Sequence, residues 1–144
     1  MTNEVIKIQV CVIYLNAAIG RLVNKEWSDG TAIYYFFKDP IFGLSDFQYN
    51  LLSIFLETDI LIIITWSVTL LELYLAANII GTELSRKCAL VMGIALHVGI
   101  ILTIGIWSFG LVMISCLLLY LLPIQKDLEL KIFKRRDENN VSYN

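Results

Sequence analysis

Long apolar runs separated by short polar stretches dominate this chain. The runs cover about residues 5–23, 60–80 and 88–122, and they contain Arg21, Glu72 and His97 as ionisable interruptions. A run of about 18 or more apolar residues is typical of a membrane-spanning helix, because about 20 residues cross a hydrocarbon core of about 30 Å. The pattern therefore predicts an all-α integral membrane protein.

The third run is too long for one span. Its 35 residues, 88–122, would form a straight helix of about 52 Å. Gly105 and Gly110 lie near its middle, with Trp107 between them as a residue suited to the membrane interface. We therefore predict a turn there and a bundle of about four spans, at about 5–23, 60–80, 88–105 and 108–122. Gly81 is expected to cap the end of the second span.

The composition of residues 24–59 predicts an interfacial segment between the first and second spans. They are acidic and include an aromatic cluster, which suits the headgroup level of a bilayer. Ser45 and Gln48 have the spacing of a helix capping box, followed by apolar residues at helical intervals. The predicted organisation is a transmembrane domain over 1–125 and a basic cytoplasmic tail over 126–144.

Composition and charge support the same interpretation. Hydrophobic residues make up 58% of the chain and charged residues 17%, with a mean hydropathy of +0.72. In the four-span arrangement, eight lysines and arginines lie on one side and three on the other, which predicts that both termini are cytoplasmic. The start has no basic leader, so we expect the first span to remain as an anchor. A pI of about 5.3 and juxtamembrane basic residues give no indication of nucleic-acid binding.

One carboxyl group and one imidazole group within the predicted spans, those of Glu72 and His97, belong to the candidate catalytic residues. Glu72 shares a helical stripe with Thr65, Thr69 and Ala76, and His97 shares another with Ala89 and Gly93. Both stripes should face neighbouring helices, so Glu72 and His97 are candidates to meet at mid-membrane. Such a pair either moves protons or orients a substrate, or only fixes helix packing.

Candidate substrate-binding residues lie on and after the first span: Arg21, Tyr14, Trp27 and Asn16. Tyr14 and Arg21 are seven residues apart and share a face. Arg21 either binds an anionic group, or forms a structural pair or snorkels to the interface, and the second alternative is favoured. The only histidine has no second His or Cys at ligand spacing, so neither a metal nor a cofactor is predicted.

Read in order, several motifs resemble one membrane family. They are Gln9, Tyr14, Gly20-Arg21-Leu22, Trp27-Ser-Asp-Gly30, and His97 followed by a glycine-containing segment, with Glu72 at the intramembrane acidic position. This order resembles the second half of the horizontally transferred transmembrane domain, the fold of vitamin K-dependent γ-carboxylases. Trp27 to Gly30, the following Thr31 to Tyr35, and Asp39 to Gly43 are most similar to its sporulation-delaying protein B branch.

The resemblance implies a bacterial inner-membrane protein needed for maturation or export of a secreted antimicrobial peptide. Its implied partners are membrane lipid, the precursor peptide and another membrane or accessory protein of the same toxin system. γ-Carboxylase activity is not expected, because Gly20-Arg21 replaces the motif lysine and an arginine does not act as a base. The alternatives are a small four-span protein similar to the DoxX group, linked to quinone or thiol redox chemistry, and a truncated remnant of the longer domain.

Overall fold

Four long helices run back and forth in the computed structural model, which describes residues 2–56 and 59–122. In chain order the elements are α1 (Thr2–Val23), α2 (Lys25–Ser28), α3 (Ala32–Phe37), α4 (Asp46–Leu56), α5 (Ile60–Ala77), a 3-10 turn (Asn78–Ile80), α6 (Glu83–Ile104) and α7 (Trp107–Leu121). These described residues contain helices and no strand, so the predicted all-α class is confirmed. The predicted tail, 126–144, lies outside them.

The core is formed by α1, α5, α6 and α7 together. α1 packs along α5, α6 packs along α7, and α1 also contacts α7. The core side chains are Val10, Tyr14, Leu75, Ala76, Ala89, Met113, Leu117, Tyr120 and Leu121. Gly93 lets α6 and α7 approach closely, because a Cβ on it would lie 2.7 Å from Cδ1 of Leu117.

Polar side chains are buried inside the bundle and large apolar ones cover its outside. Thr65, Thr69, Glu72, Asn78 and His97 are all buried. By contrast, Ile63 in the first turn of α5 and Val91 nearer the middle of α6 are each 68% exposed. This is the arrangement expected where lipid surrounds the bundle, since apolar faces suit hydrocarbon and polar groups need partners inside.

By length and apolar composition, three of the described helices suit a membrane crossing. They cover Glu4–Val23, Ile60–Ile80 and Glu83–Ile104. The fourth, α7, is apolar but has only 15 residues. A helix of that length rises about 22 Å, which is shorter than a typical hydrocarbon core.

A glycine breaks the long third run. α6 ends at Ile104, and Gly105 adopts φ +77°, a left-handed conformation that glycine reaches without strain. Trp107 then begins α7 with 62% of its surface exposed. α6 also begins at Glu83, before the predicted residue 88, because the Thr82 side chain caps its first turn by accepting from the Ser85 N–H.

Gly81 directly follows the end of the predicted second span, as expected, but it caps a 3-10 turn and not α5 itself. α5 ends at Ala77, a 3-10 turn follows, and Gly81 has the extended φ of −67°. A Cβ at this position would clash with Oδ1 of Asn78, so glycine suits the close approach of that side chain. That oxygen accepts a hydrogen bond from the Ser85 hydroxyl at 2.8 Å. The Asn78 side chain therefore joins the end of α5 to the start of α6.

The described part of the connecting segment, residues 24–56, folds over one end of the bundle. α2 and α3 contact α5, and α4 begins with the predicted capping box, in which the Ser45 N–H donates to the Gln48 side chain. The Gln48 amide in turn donates to the Leu102 carbonyl at 2.7 Å. This bond ties α4 to the last turn of α6.

Candidate functional site

An ion pair links α1 to α5 inside the bundle. Nη1 of Arg21 contacts Oε2 of Glu72, whose side chain is only 6% exposed, whereas that of Arg21 is 21% exposed. An unpaired charge is costly in hydrocarbon, so each group stabilises the other. Of the two alternatives for Arg21, the structure shows the internal pair.

Trp27 completes the surroundings of Arg21. The Asn24 side chain caps α2 by accepting from the N–H groups of Glu26 and Trp27, and this cap positions the indole beneath α1. The Arg21 guanidinium carbon lies 4.3 Å from the Trp27 ring centroid, a cation–π distance. Arg21 is thus held between a carboxylate and an aromatic face.

A second polar pair lies deeper and links α1 to α6. The Tyr14 hydroxyl and Nε2 of His97 share a hydrogen bond of 2.9 Å, in which the ring tautomer decides which atom donates. Tyr14 is 1% exposed and His97 is 2% exposed. Nδ1 of His97 is buried and has no hydrogen-bond partner among residues 2–56 and 59–122. One ring nitrogen is therefore left for a water or a substrate group.

Glu72 and His97 have different partners from the one predicted for them. The predicted direct pair is wrong, because Arg21 takes the carboxylate and Tyr14 takes the imidazole. Both partners come from the same face of α1, where a seven-residue spacing places them two helical turns apart. The predicted orientation of the two helix stripes is confirmed, since Glu72 and His97 are both buried inside the bundle.

Asn16 is not part of this cluster. It lies on α1 between Tyr14 and Arg21, but its side chain is exposed on the outer face. Of the four candidate substrate-binding residues, Tyr14 and Arg21 point into the bundle, Trp27 packs against Arg21 from the connecting segment, and Asn16 lies outside.

A pocket of about 390 Å³ opens beside Arg21. It lies between the end of α1, the connecting segment, α5, α6 and the start of α7. Its lining residues are Arg21, Trp27, Ile33, Phe36, Phe37, Ile64, Val68, Ala95, Leu96, Gly99, Ile100, Thr103, Ile104, Ile106 and Phe109. Arg21 is the only charged residue among them. The pocket therefore suits an apolar group that carries a hydrogen-bond acceptor or a negative charge.

Three aromatic lining residues, Phe36, Phe37 and Phe109, were not predicted as site residues. Phe36 packs against Trp27 with ring centroids 6.1 Å apart, and Phe109 packs edge-on against His97 at 5.9 Å. Phe36 belongs to the aromatic cluster noted in the sequence, which was assigned to the headgroup level. Phe109 ends the segment after His97 that carries the family resemblance, but its contact with His97 depends on the turn at Gly105, which brings α7 back beside α6.

The connecting segment has its own local electrostatics. Oδ1 of Asp39 accepts hydrogen bonds from the N–H groups of Phe42 and Ile41, at 2.9 and 2.8 Å, and these bonds lower the pKa of the carboxyl group. The Lys38 ammonium donates to the Tyr34 hydroxyl, and this bond raises the lysine pKa. Both interactions stabilise the turn that leads from α3 to α4.

The described residues offer no clear ligand set for a metal. Over residues 2–56 and 59–122, no three His, Cys, Asp or Glu side chains are grouped closely enough to hold an ion. The chemistry available in the cluster is therefore that of a carboxylate, a guanidinium, a phenol and an imidazole.

Comparison with known proteins gives two relatives from Bacillus subtilis (strain 168). The chain is 56% identical to the sporulation-delaying protein SdpB over 124 residues, which is 86% of this chain and 38% of SdpB. It is 29% identical to the uncharacterized protein YitO over 91% of this chain and 42% of YitO. The chain thus spans about two fifths of the length of these relatives. No family model matches it, and no solved structure does. The predicted resemblance is confirmed at this level: the chain is similar to a part of the sporulation-delaying protein SdpB.

Proposed function

We propose that this chain is a multi-pass membrane protein that serves the maturation or export of a secreted antimicrobial peptide toxin. The observation that carries the proposal is the pocket at Arg21, an apolar cavity beside buried polar groups in a chain similar to SdpB. A precursor peptide is a suitable occupant, because it supplies apolar side chains together with backbone carbonyl groups.

The pocket and the ion pair have separate roles in this proposal. The apolar walls bind side chains of the peptide by removing them from lipid or water, while the exposed part of Arg21 donates hydrogen bonds to a carbonyl or carboxylate. Glu72 keeps Arg21 charge-paired when the pocket is empty, and Trp27 fixes the plane of the guanidinium. The neutral pair lowers the cost of holding a cation in this place.

His97 gives the cluster an additional polar contact. Tyr14 occupies one ring nitrogen, which orients the ring and leaves Nδ1 without a protein partner. In the proposal Nδ1 bonds a water or a polar group of the peptide that enters the bundle, because a buried ring nitrogen without a partner is costly.

The proposed location is the bacterial inner membrane with both termini in the cytoplasm. The exposed apolar faces of the long helices and the excess of basic residues on the terminal side support this orientation. It places the connecting segment and the mouth of the pocket on the outer side of the membrane. The proposed partners are the precursor peptide, membrane lipid and another protein of the same toxin system.

The sharpest test fills the pocket without removing a contact. Gly99 lines the pocket, and a Cβ built on it has no heavy atom within 4 Å. We expect Gly99→Leu to abolish active toxin from a co-expressed precursor peptide while the membrane level of the protein is unchanged. Ser115→Leu adds the same side chain on the exposed face of α7 and should leave toxin output normal.

Alanine variants test the polar cluster in the same assay. Glu72→Ala and His97→Ala should each lower active toxin, and Tyr14→Phe should lower it less because the ring remains in place. Normal toxin output from Gly99→Leu, at normal membrane levels, would reject the pocket as the peptide site. Normal output from a deletion of the gene would reject the proposed function altogether.

A further inference from the structure

One face of α1 has no partner in the described structure. Gln9, Ile13, Asn16 and Gly20 are all exposed and lie within about 60° of one another around the helix. A Cβ built on Gly20 meets no heavy atom within 4 Å, so space is open along this line. This set of four residues, the α1 seam, lies opposite the face that carries Tyr14.

The two amide side chains of the α1 seam are unusual on a lipid-facing surface. Among residues 2–56 and 59–122, neither Gln9 nor Asn16 forms a side-chain hydrogen bond within the chain. Asn16 lies near the middle of the span Glu4–Val23. A polar group in hydrocarbon without a partner is destabilising, so an amide at this depth indicates a polar contact from another helix.

The spacing along the α1 seam fits helix pairing. The steps of four, three and four residues average about 3.7, close to the 3.6 residues per turn of a straight helix, so the line runs nearly parallel to the axis of α1. Glycine at the end of the seam allows close backbone approach. A helix that met α1 along this line would cover all four residues at once.

We propose that the occupant is α1 of a second copy of this chain, packed in parallel about a two-fold axis. In such a dimer each residue near the axis faces its own counterpart. An asparagine amide both donates and accepts, so two copies of Asn16 satisfy each other without a second residue type. The α1 seam carries no charge, so a parallel pair brings no like charges together along this line.

The dimer leaves the pocket free, because the α1 seam and the Arg21 pocket lie on different faces of α1. The inference is therefore independent of the proposed function. Asn16 lies outside the polar cluster and does not line the pocket, and the dimer gives its amide a partner.

The test is disulfide crosslinking of the full chain in lipid bilayers. In a background with Cys11, Cys88 and Cys116 changed to alanine, Ile13→Cys should crosslink to a species of twice the monomer mass. Ser115→Cys, on the exposed face of α7, is the matched control and should stay monomeric. Adding Asn16→Leu to the Ile13→Cys chain should reduce crosslinking, whereas Asn16→Gln should retain it.

A dilution series in vesicles with fluorescent donor and acceptor labels measures the strength of the pair. Asn16→Leu should weaken dimerisation about tenfold, the effect expected for losing the amide bonds between helices. The proposal is overturned if Ile13→Cys crosslinks no better than Ser115→Cys, if Asn16→Leu dimerises as the natural chain does, or if Ile13→Cys is captured only by a different membrane protein.

Discussion

Removing the charge of Glu72 should destabilise the bundle more than any change on its surface. In Glu72→Gln the Arg21 guanidinium keeps its position between α1 and α5 but loses its counter-charge. Breaking a fully buried pair in this way costs about 3–5 kcal/mol. The Arg21 side chain is 21% exposed and lies near the end of α1, which allows it to reach the interface, so we expect a loss of about 2–3 kcal/mol.

A double-mutant cycle separates the pair from its surroundings. Arg21→Gln leaves the carboxylate without a counter-charge and should lower the free energy of unfolding by a similar amount. The double variant Arg21→Gln/Glu72→Gln leaves no buried charge. Its loss of unfolding free energy should therefore be smaller than the sum of the two single losses. We expect a coupling energy of about 2 kcal/mol. Unfolding of the purified chain by SDS in mixed micelles, followed by circular dichroism, measures each free energy.

The control is an ion pair that is open to solvent. Glu4 contacts Lys7 at 2.8 Å on the surface of α1, so Glu4→Gln should hardly change the free energy of unfolding. If the Arg21 and Glu72 variants were strictly additive, or if Glu72→Gln were as mild as Glu4→Gln, the argument that this pair holds α1 to α5 would be refuted.

Three further outcomes follow from glycine geometry and from the connecting segment. Gly93→Ala should lower the free energy of unfolding by about 1–3 kcal/mol, because the new methyl group meets Leu117. Gly99→Ala places its methyl group in open space and should not destabilise the bundle. Equal effects of the two variants on SDS unfolding would contradict this. Gly105→Ala should cost about 1–2 kcal/mol through its φ of +77° alone, since no atom obstructs the methyl group, and an unchanged unfolding curve would show that the turn adapts. The pKa of Asp39 is lowered in the folded chain, so its turn is stabilised above the unfolded pKa of the carboxyl group and loses that stabilisation as the pH falls through the folded pKa. Amide hydrogen exchange in this turn, corrected for its intrinsic pH dependence, should lose protection on acidification, and a protection factor independent of pH would contradict the assignment.

The sequence by itself determined the class of protein and much of its local structure. Apolar runs of membrane length require helices, because each backbone group must be satisfied within its own segment in lipid. The inward direction of Glu72 and His97 followed from helical spacing alone, as did the capping box at Ser45. These features depend on residues close together along the chain, which is why the pattern reveals them.

The tertiary structure decided which polar groups meet. Glu72 and His97 both point into the bundle, yet their rotation relative to α1 gives one of them to Arg21 and the other to Tyr14. The turn at Gly105 brings Phe109 beside His97. The pocket is lined by residues from several separate helices and forms only when these pack together, for example α3 against α5. Helical periodicity fixes the face on which a side chain lies, but the partner opposite that face depends on how separate helices rotate and cross, and many arrangements bury the same stripes equally well.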